Sequence, residues 1–221
     1  MVTIIDYGIG NLRSIEKAFQ RIGATVLRTD DPADLRAAER LVLPGVGAFG
    51  ACMQELRDRG LVAPIHEAIA AGTPFLGVCI GLQLLFEESD ERGTHEGLGV
   101  LPGRVVRFPN AQNATELVDQ DTAGNGQALK VPHMGWNNVT ATRAHPLLHG
   151  LSATPYFYFV HSYYAEAEEP ADVLATAHYG VDFPAVVHRN NVLGVQFHPE
   201  KSHDSGLQVL KNFTSRVQLT A

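Results

Sequence analysis

The first ninety residues alternate between short apolar runs and stretches with helical spacing, and no other property of the chain restricts its fold as much. Residues 2–5, 25–28, 41–43 and 75–78 are runs of strand length. Between them apolar residues recur every three or four positions, as Leu12, Ile15, Phe19 and Ile22 do. Asn11 stands where it can cap the first helix and Gly23 where it can end it. Asp31-Pro32 opens a short second helix through about residue 38. Helical stretches at 49–59 and 62–71 stop at Gly60 and Gly72, and another is expected at about 80–87. This strand–helix–strand rhythm implies an α/β fold: a doubly wound, mostly parallel open sheet with helices on both faces. Ligands bind such sheets at the carboxyl ends of the strands, where Gly47 and Cys79 both lie.

The second half has a different texture. Strand-like runs at 104–108, 156–161, 173–178, 185–188 and 192–197 suit an antiparallel or mixed extension of the sheet, with Asn190-Asn191 as a hairpin turn. A helix is expected at 207–217. Residues 110–127 are polar and lack apolar periodicity, and are expected to form a long surface loop or hairpin. No internal repeat or linker interrupts the 221 residues, so one domain over 1–221 is expected.

Composition removes whole classes of function. Seventeen basic against 24 acidic side chains give a formal charge of −7, which argues against a general nucleic-acid binder. The two cysteines, Cys52 and Cys79, are too few for a disulfide scaffold. The amino terminus lacks the pattern of a secretory signal, and no apolar run approaches membrane-spanning length. A reactive thiol needs a reducing compartment, so the expected location is the cytoplasm.

Cys79 sits in Gly77-Val78-Cys79-Ile80-Gly81, directly after an apolar strand and before a helical stretch. Glycines flank a nucleophile where strand turns sharply into helix, because neighbouring backbone leaves no room for side chains. At the positive end of a helix the thiolate is favoured over the thiol. A thiol nucleophile needs a base, and Phe197-His198-Pro199-Glu200 offers an imidazole with a carboxylate two residues on. In an extended segment those two side chains leave the same face. Such a carboxylate fixes the imidazole's tautomer and favours its protonated form. A thiolate attacking a carboxamide creates an oxyanion, for which backbone N–H groups are the natural donors. The amide of Ile80 is one candidate. The other comes from the Val46–Gly47 segment of Pro44-Gly45-Val46-Gly47, a loop whose amides large side chains do not screen. Cys52 is expected to be a packing residue.

These residues resemble the triad-type, class I glutamine amidotransferases, and the likeness spans almost the whole chain. It is closer still to the glutaminase subunits of imidazole glycerol phosphate synthases. That similarity is carried by Asp6-Tyr7-Gly8-Ile9-Gly10-Asn11, Pro44-Gly45-Val46-Gly47-Ala48-Phe49, Pro132-His133-Met134-Gly135-Trp136-Asn137 and Tyr158-Phe159-Val160-His161-Ser162-Tyr163. The resemblance implies hydrolysis of L-glutamine through a Cys79 thioester, with His198 and Glu200 completing the triad. It adds Gln83 and the backbone of Ser162 and Tyr163 as glutamine contacts. It implies no cofactor and no membrane or nucleic-acid partner. It does imply a (β/α)8 cyclase subunit, joined as a heterodimer, which accepts the ammonia in histidine biosynthesis. Asn11, Trp136, Tyr158 and Lys201 are the residues expected to face that subunit, with roles as cap, core or solvated surface as their alternatives. The 110–127 stretch is longer than the resemblance leads one to expect.

Other patterns are weaker. Gly8-x-Gly10 follows a strand, but Arg13 stands where a dinucleotide fingerprint has its third glycine. The ten histidines show no metal-ligand spacing. Three further activities share much of this sequence logic: a glutaminase serving another synthase, a γ-glutamyl peptide hydrolase, and a catalytically silent binding module. Glutamate release measured with and without the cyclase separates them.

Overall fold

The computed structural model of the protein describes residues 1–109 and 130–217. In chain order the strands of the first half are β1 (Val2–Ile5), β2 (Val26–Thr29), β3 (Leu41–Gly45), β4 (Phe75–Cys79), β5 (Phe86–Ser89), β6 (His95–Glu96) and β7 (Leu101–Arg107). Those of the second half are β8 (His133–Asn138), β9 (Thr140–Ala141), β10 (Tyr156–His161), β11 (Tyr163–Ala167), β12 (Val173–His178), β13 (Asp182–Arg189) and β14 (Val192–Val195). The helices are α1 (Leu12–Arg21), α2 (Pro32–Arg36), α3 (Phe49–Asp58), α4 (Val62–Ala70), α5 (Ile80–Gln83) and α6 (His203–Ser215).

Among the described residues the main sheet has eight strands in the order β2-β1-β3-β4-β14-β13-β12-β9. The first five are parallel to one another, and β13, β12 and β9 continue the sheet antiparallel. This is the expected α/β arrangement with an antiparallel extension. The parallel strands are buried along their length at β1, β3, β4 and β14, as strands covered on both faces must be. Ile15, Ala18 and Phe19 form the buried stripe of α1, which packs with α6, while α2 packs with α4. Two smaller sheets, β10-β8 and β11-β7-β5-β6, complete the described strands.

Several expectations are corrected. The helix expected at 80–87 ends at Gln83, and Phe86–Ser89 is a strand. The segment pairs at long range instead: Leu98 N–H donates to Leu84 O at 2.8 Å and Leu101 N–H to Leu85 O at 2.9 Å. Gly97 makes that approach possible, since a Cβ there would lie 2.1 Å from Phe86 O. Tertiary pairing has outcompeted the local preference for helix. Asn11 does occupy the N-cap position of α1, but its side chain makes no capping bond. The strand expected at 192–197 stops at Val195, and the closing helix begins at His203 and ends at Ser215. The loop expected at 110–127 lies outside the described residues.

Candidate active site

β3 and β4 run parallel with Gly45 opposite Cys79, so the Pro44–Gly47 loop and the thiol emerge at the same rim. Cys79 has φ +56° and ψ −108°, a conformation a non-glycine residue holds only when its surroundings enforce it. The flanking glycines do so. A Cβ on Gly77 would lie 2.3 Å from Gly81 O, and one on Gly81 would lie 1.8 Å from Leu43 O. The elbow read from the sequence is therefore a packing requirement of three adjoining backbones. With only four residues in α5, the alignment of peptide dipoles behind the thiol is shorter than the sequence suggested.

The cavity at this rim has a volume of about 490 Å3 and is lined by Val46, Gly47, Cys79, Ile80, Gln83 and His198, among others. Gly47 has φ +96°, open to glycine at little cost. Ile80 is the first residue of α5, so its amide has no acceptor within the helix. The loop is tied from below: Tyr7 Oη donates to Pro44 O at 2.9 Å, and Cys52 Sγ to Val46 O at 3.6 Å. Burial pushes the Cys52 thiol up to about 11, so it stays protonated and its role is packing.

β14 lies beside β4 with Val195 opposite Val78, which carries Gln196 to the thiol and His198 to the rim. His198 is extended, but Pro199–Lys201 is one turn of 3-10 helix with the proline at its start. That turn, and not the extended segment expected, brings Glu200 back to His198, whose Nδ1 donates to Glu200 Oε1 at 2.9 Å. Both side chains are 3% exposed. The other ring nitrogen, Nε2, is buried and has no well-aligned partner among the described residues. Burial opposes charge on this ring, but hydrogen bonding and charge from Cys79 and Glu200 outweigh it, and His198 is pushed up to about 10. Its backbone is clasped as well. His198 N–H donates to Tyr158 O at 2.9 Å, Ser202 Oγ donates to His198 O at 2.6 Å, and Tyr158 N–H donates to Ser202 Oγ at 2.9 Å.

Gln83 and the Ser162–Tyr163 segment line the same cavity. Gln83 Nε2 donates to Tyr163 O at 2.9 Å and to Gln196 Oε1 at 3.1 Å, while its Oε1 is buried without a partner among the described residues. Gln196 Nε2 in turn donates to Cys79 Sγ at 3.8 Å. Sequence reading missed Gln196 and Ser202, although both flank the His198–Glu200 pair. It also missed Glu91, Arg92 and Arg107, which bring both signs of charge to the cavity from separate segments.

Of the other expected residues, Trp136 is 46% exposed, so it is not core; it stacks on His203 at 5.0 Å and meets Tyr158 edge-on at 6.1 Å. Lys201 Nζ lies 5.7 Å over the Tyr158 ring, and Asn11 is exposed at the start of α1. No helix among the described residues is long and apolar enough to cross a membrane.

The sequence matches the family Glutamine amidotransferase class-I over residues 3–217. It is 62% identical to imidazole glycerol phosphate synthase subunit HisH of Salinibacter ruber, over 97% of this chain and 94% of that one. It is 52% identical to the subunit of the same name in Syntrophotalea carbinolica, over 96% and 98% of the two chains. A solved glutamine amidotransferase has the same fold, with a TM-score of 0.69 at 21% identity, covering 96% of this chain and 98% of its own.

Proposed function

The chain belongs to the class I glutamine amidotransferases, and among them to the HisH subunits of imidazole glycerol phosphate synthase; from that premise we propose that Cys79, His198 and Glu200 are the triad with which it hydrolyses L-glutamine. It is a glutaminase of histidine biosynthesis, working as one subunit of a synthase. The observation that carries the triad is the state of His198. One ring nitrogen is committed to Glu200, and the other is buried in the cavity that holds the thiol, where Cys79 favours its protonation.

Cys79 thiolate attacks the side-chain carboxamide of glutamine, and the amides of Ile80 and Val46–Gly47 bind the oxyanion. The tetrahedral adduct collapses with cleavage of the C–N bond, and His198 protonates the departing ammonia. Water then attacks the glutamyl thioester with His198 as base; the C–S bond breaks, giving glutamate and restoring the thiolate beside a protonated His198. Glu200 keeps the imidazole in the tautomer that both steps need. Gln83 has spent both its N–H groups on protein, so its unpaired Oε1 is an acceptor left for an N–H of the substrate. The guanidiniums of Arg92 and Arg107 and the carboxylate of Glu91 suit the two charges of a free amino acid.

Ammonia released into bulk water is protonated and lost as a nucleophile, so this half-reaction calls for an acceptor subunit. The docking face we assign to it is built on β8 and β10. There Trp136 and Tyr158 are register partners, Met134 and Tyr156 are exposed, and Lys201 lies over Tyr158. The partner is a (β/α)8 cyclase, the pair is a heterodimer, Asn11 borders the contact, and the complex works in the cytoplasm. Replacing Cys79 with Ala should lower glutamate release in the cyclase complex by at least ~10^4-fold while leaving the complex intact. Retained turnover would overturn the triad. Glutamine hydrolysis indifferent to the cyclase would instead favour a hydrolase that serves no acceptor.

A further inference from the structure

Two buried histidines touch at the cavity, and one of them, His161, is part of its lining. His133 Nδ1 lies 3.0 Å from His161 Nε2, on facing residues of β8 and β10. Their neighbours determine which nitrogen carries each proton. Asn137 Oδ1 accepts from Asn138 N–H at 2.8 Å, so its amide orientation is fixed. Asn137 Nδ2 then donates one hydrogen to His178 O at 2.8 Å and the other towards His133 Nε2 at 3.3 Å. His133 Nε2 is therefore an acceptor, and the neutral ring holds its proton on Nδ1. That proton goes to His161 Nε2, which leaves the His161 proton on Nδ1, where it donates to Tyr163 O at 2.8 Å. A second proton on either ring would set two N–H groups against each other. Burial independently holds both rings neutral, His133 down to about 4 and His161 to about 3. His133 is also wedged between Phe159 at 4.9 Å and Tyr179 at 4.1 Å, both near-parallel to it.

The line of donors ends on an atom that matters to the reaction. Tyr163 O has two lone pairs; His161 takes one and Gln83 Nε2 the other. We propose that His133 and His161 are positioning residues for glutamine hydrolysis: a neutral, single-tautomer relay that fixes the Tyr163 carbonyl and, through it, the Gln83 side chain against which glutamine binds. The inference rests on the glutaminase reading of the cavity. His133 does not itself line that cavity, although its neighbour Pro132 does, and its hydrogen-bonded link to the glutamine side runs through His161. Losing the His133 donor leaves His161 Nε2 buried without a partner, so the ring is held by hydrogen bonding at Nδ1 alone and its tie to the Tyr163 carbonyl loosens.

The test uses the complex with the cyclase and three chains: unaltered, His133→Phe and His133→Asn. Phenylalanine keeps the stacking and removes the donor, whereas the Asn amide N–H replaces Nδ1–H. His133→Phe should raise KM for glutamine roughly tenfold with kcat changed by less than about threefold, and His133→Asn should recover most of the loss. Alkylation of Cys79 by iodoacetamide at an unchanged rate shows that the variants are folded. Nitrogen-15 spectra of the unaltered chain should show both rings neutral with the proton on Nδ1 at pH 7, and in His133→Phe the His161 Nε2 signal should move downfield as that nitrogen loses its donor. An unchanged KM in a folded His133→Phe complex overturns the proposal, as does a charged ring or one protonated on Nε2. If His133→Phe fails to fold, the spectrum of the unaltered chain decides. If the unaltered complex releases no glutamate, the glutaminase reading fails instead, and that spectrum still judges the relay.

Discussion

His198 shows how one residue's surroundings set its chemistry. With its proton affinity raised to about 10 from an ordinary 6.5, it keeps its proton through neutral pH beside the thiol. Such an imidazolium is the acid the departing ammonia needs, so the alkaline limb of kcat/KM in the complex should fall near pH 10. Glu200→Gln removes one of the groups that hold that proton. We expect the limb to move towards neutrality and kcat/KM at pH 7.5 to fall by ~10^2- to 10^4-fold, read from initial rates across pH. Folding follows the same linkage. A raised affinity in the folded state contributes stability that is fully present below about pH 6.5 and is lost as pH rises through about 10. The residues of the proposed triad could be singled out because each is signalled by immediate neighbours: glycines around Cys79, and Pro199 between His198 and Glu200. Gln196, Ser202, His133 and His161 were not legible as a network. A polar side chain gains such a role only from burial and a distant partner, as between Gln83 and Tyr163 O.

At the scale of elements, the elbow depends on β3, β4 and α5 approaching more closely than side chains allow. Gly81→Ala must push its new Cβ into Leu43 O, so the strand leading into the Pro44–Gly47 loop moves or the helix unwinds. We expect a loss of about 3 kcal/mol or more in unfolding free energy by denaturant titration. Gly23→Ala, with open space around its Cβ, meets only the cost of its positive φ. The parallel strands were readable because continuous apolar runs leave few alternatives. The helix expected at 80–87 failed because the competing bonds to Leu84 and Leu85 come from residues 98–101, which no local pattern announces. β8 was missed as a strand for a related reason: His133-Met134-Gly135-Trp136 has weak strand preference and depends on pairing with β10.

For the whole molecule, the cavity and the exposed aromatic face share β10: Val160 and His161 line the one, and Tyr156 and Tyr158 belong to the other. Trp136 is held ready by stacking on His203, which lowers the ordering cost of making it an anchor. Trp136→Ala should weaken binding to the cyclase by about 2 kcal/mol, roughly 30-fold in Kd by titration calorimetry, with the secondary structure of the free subunit unchanged.

The pairing of β14 with β4 has one more consequence. A ribosome making this protein delivers the thiol early and the imidazole late, and the strand carrying the imidazole must insert at the middle of a sheet, not at its margin. Until that insertion, an unfinished chain has a sulfur without its base. On the triad reading, nascent subunits and truncated fragments that lack β14 would hold the nucleophile without the means to turn over glutamine.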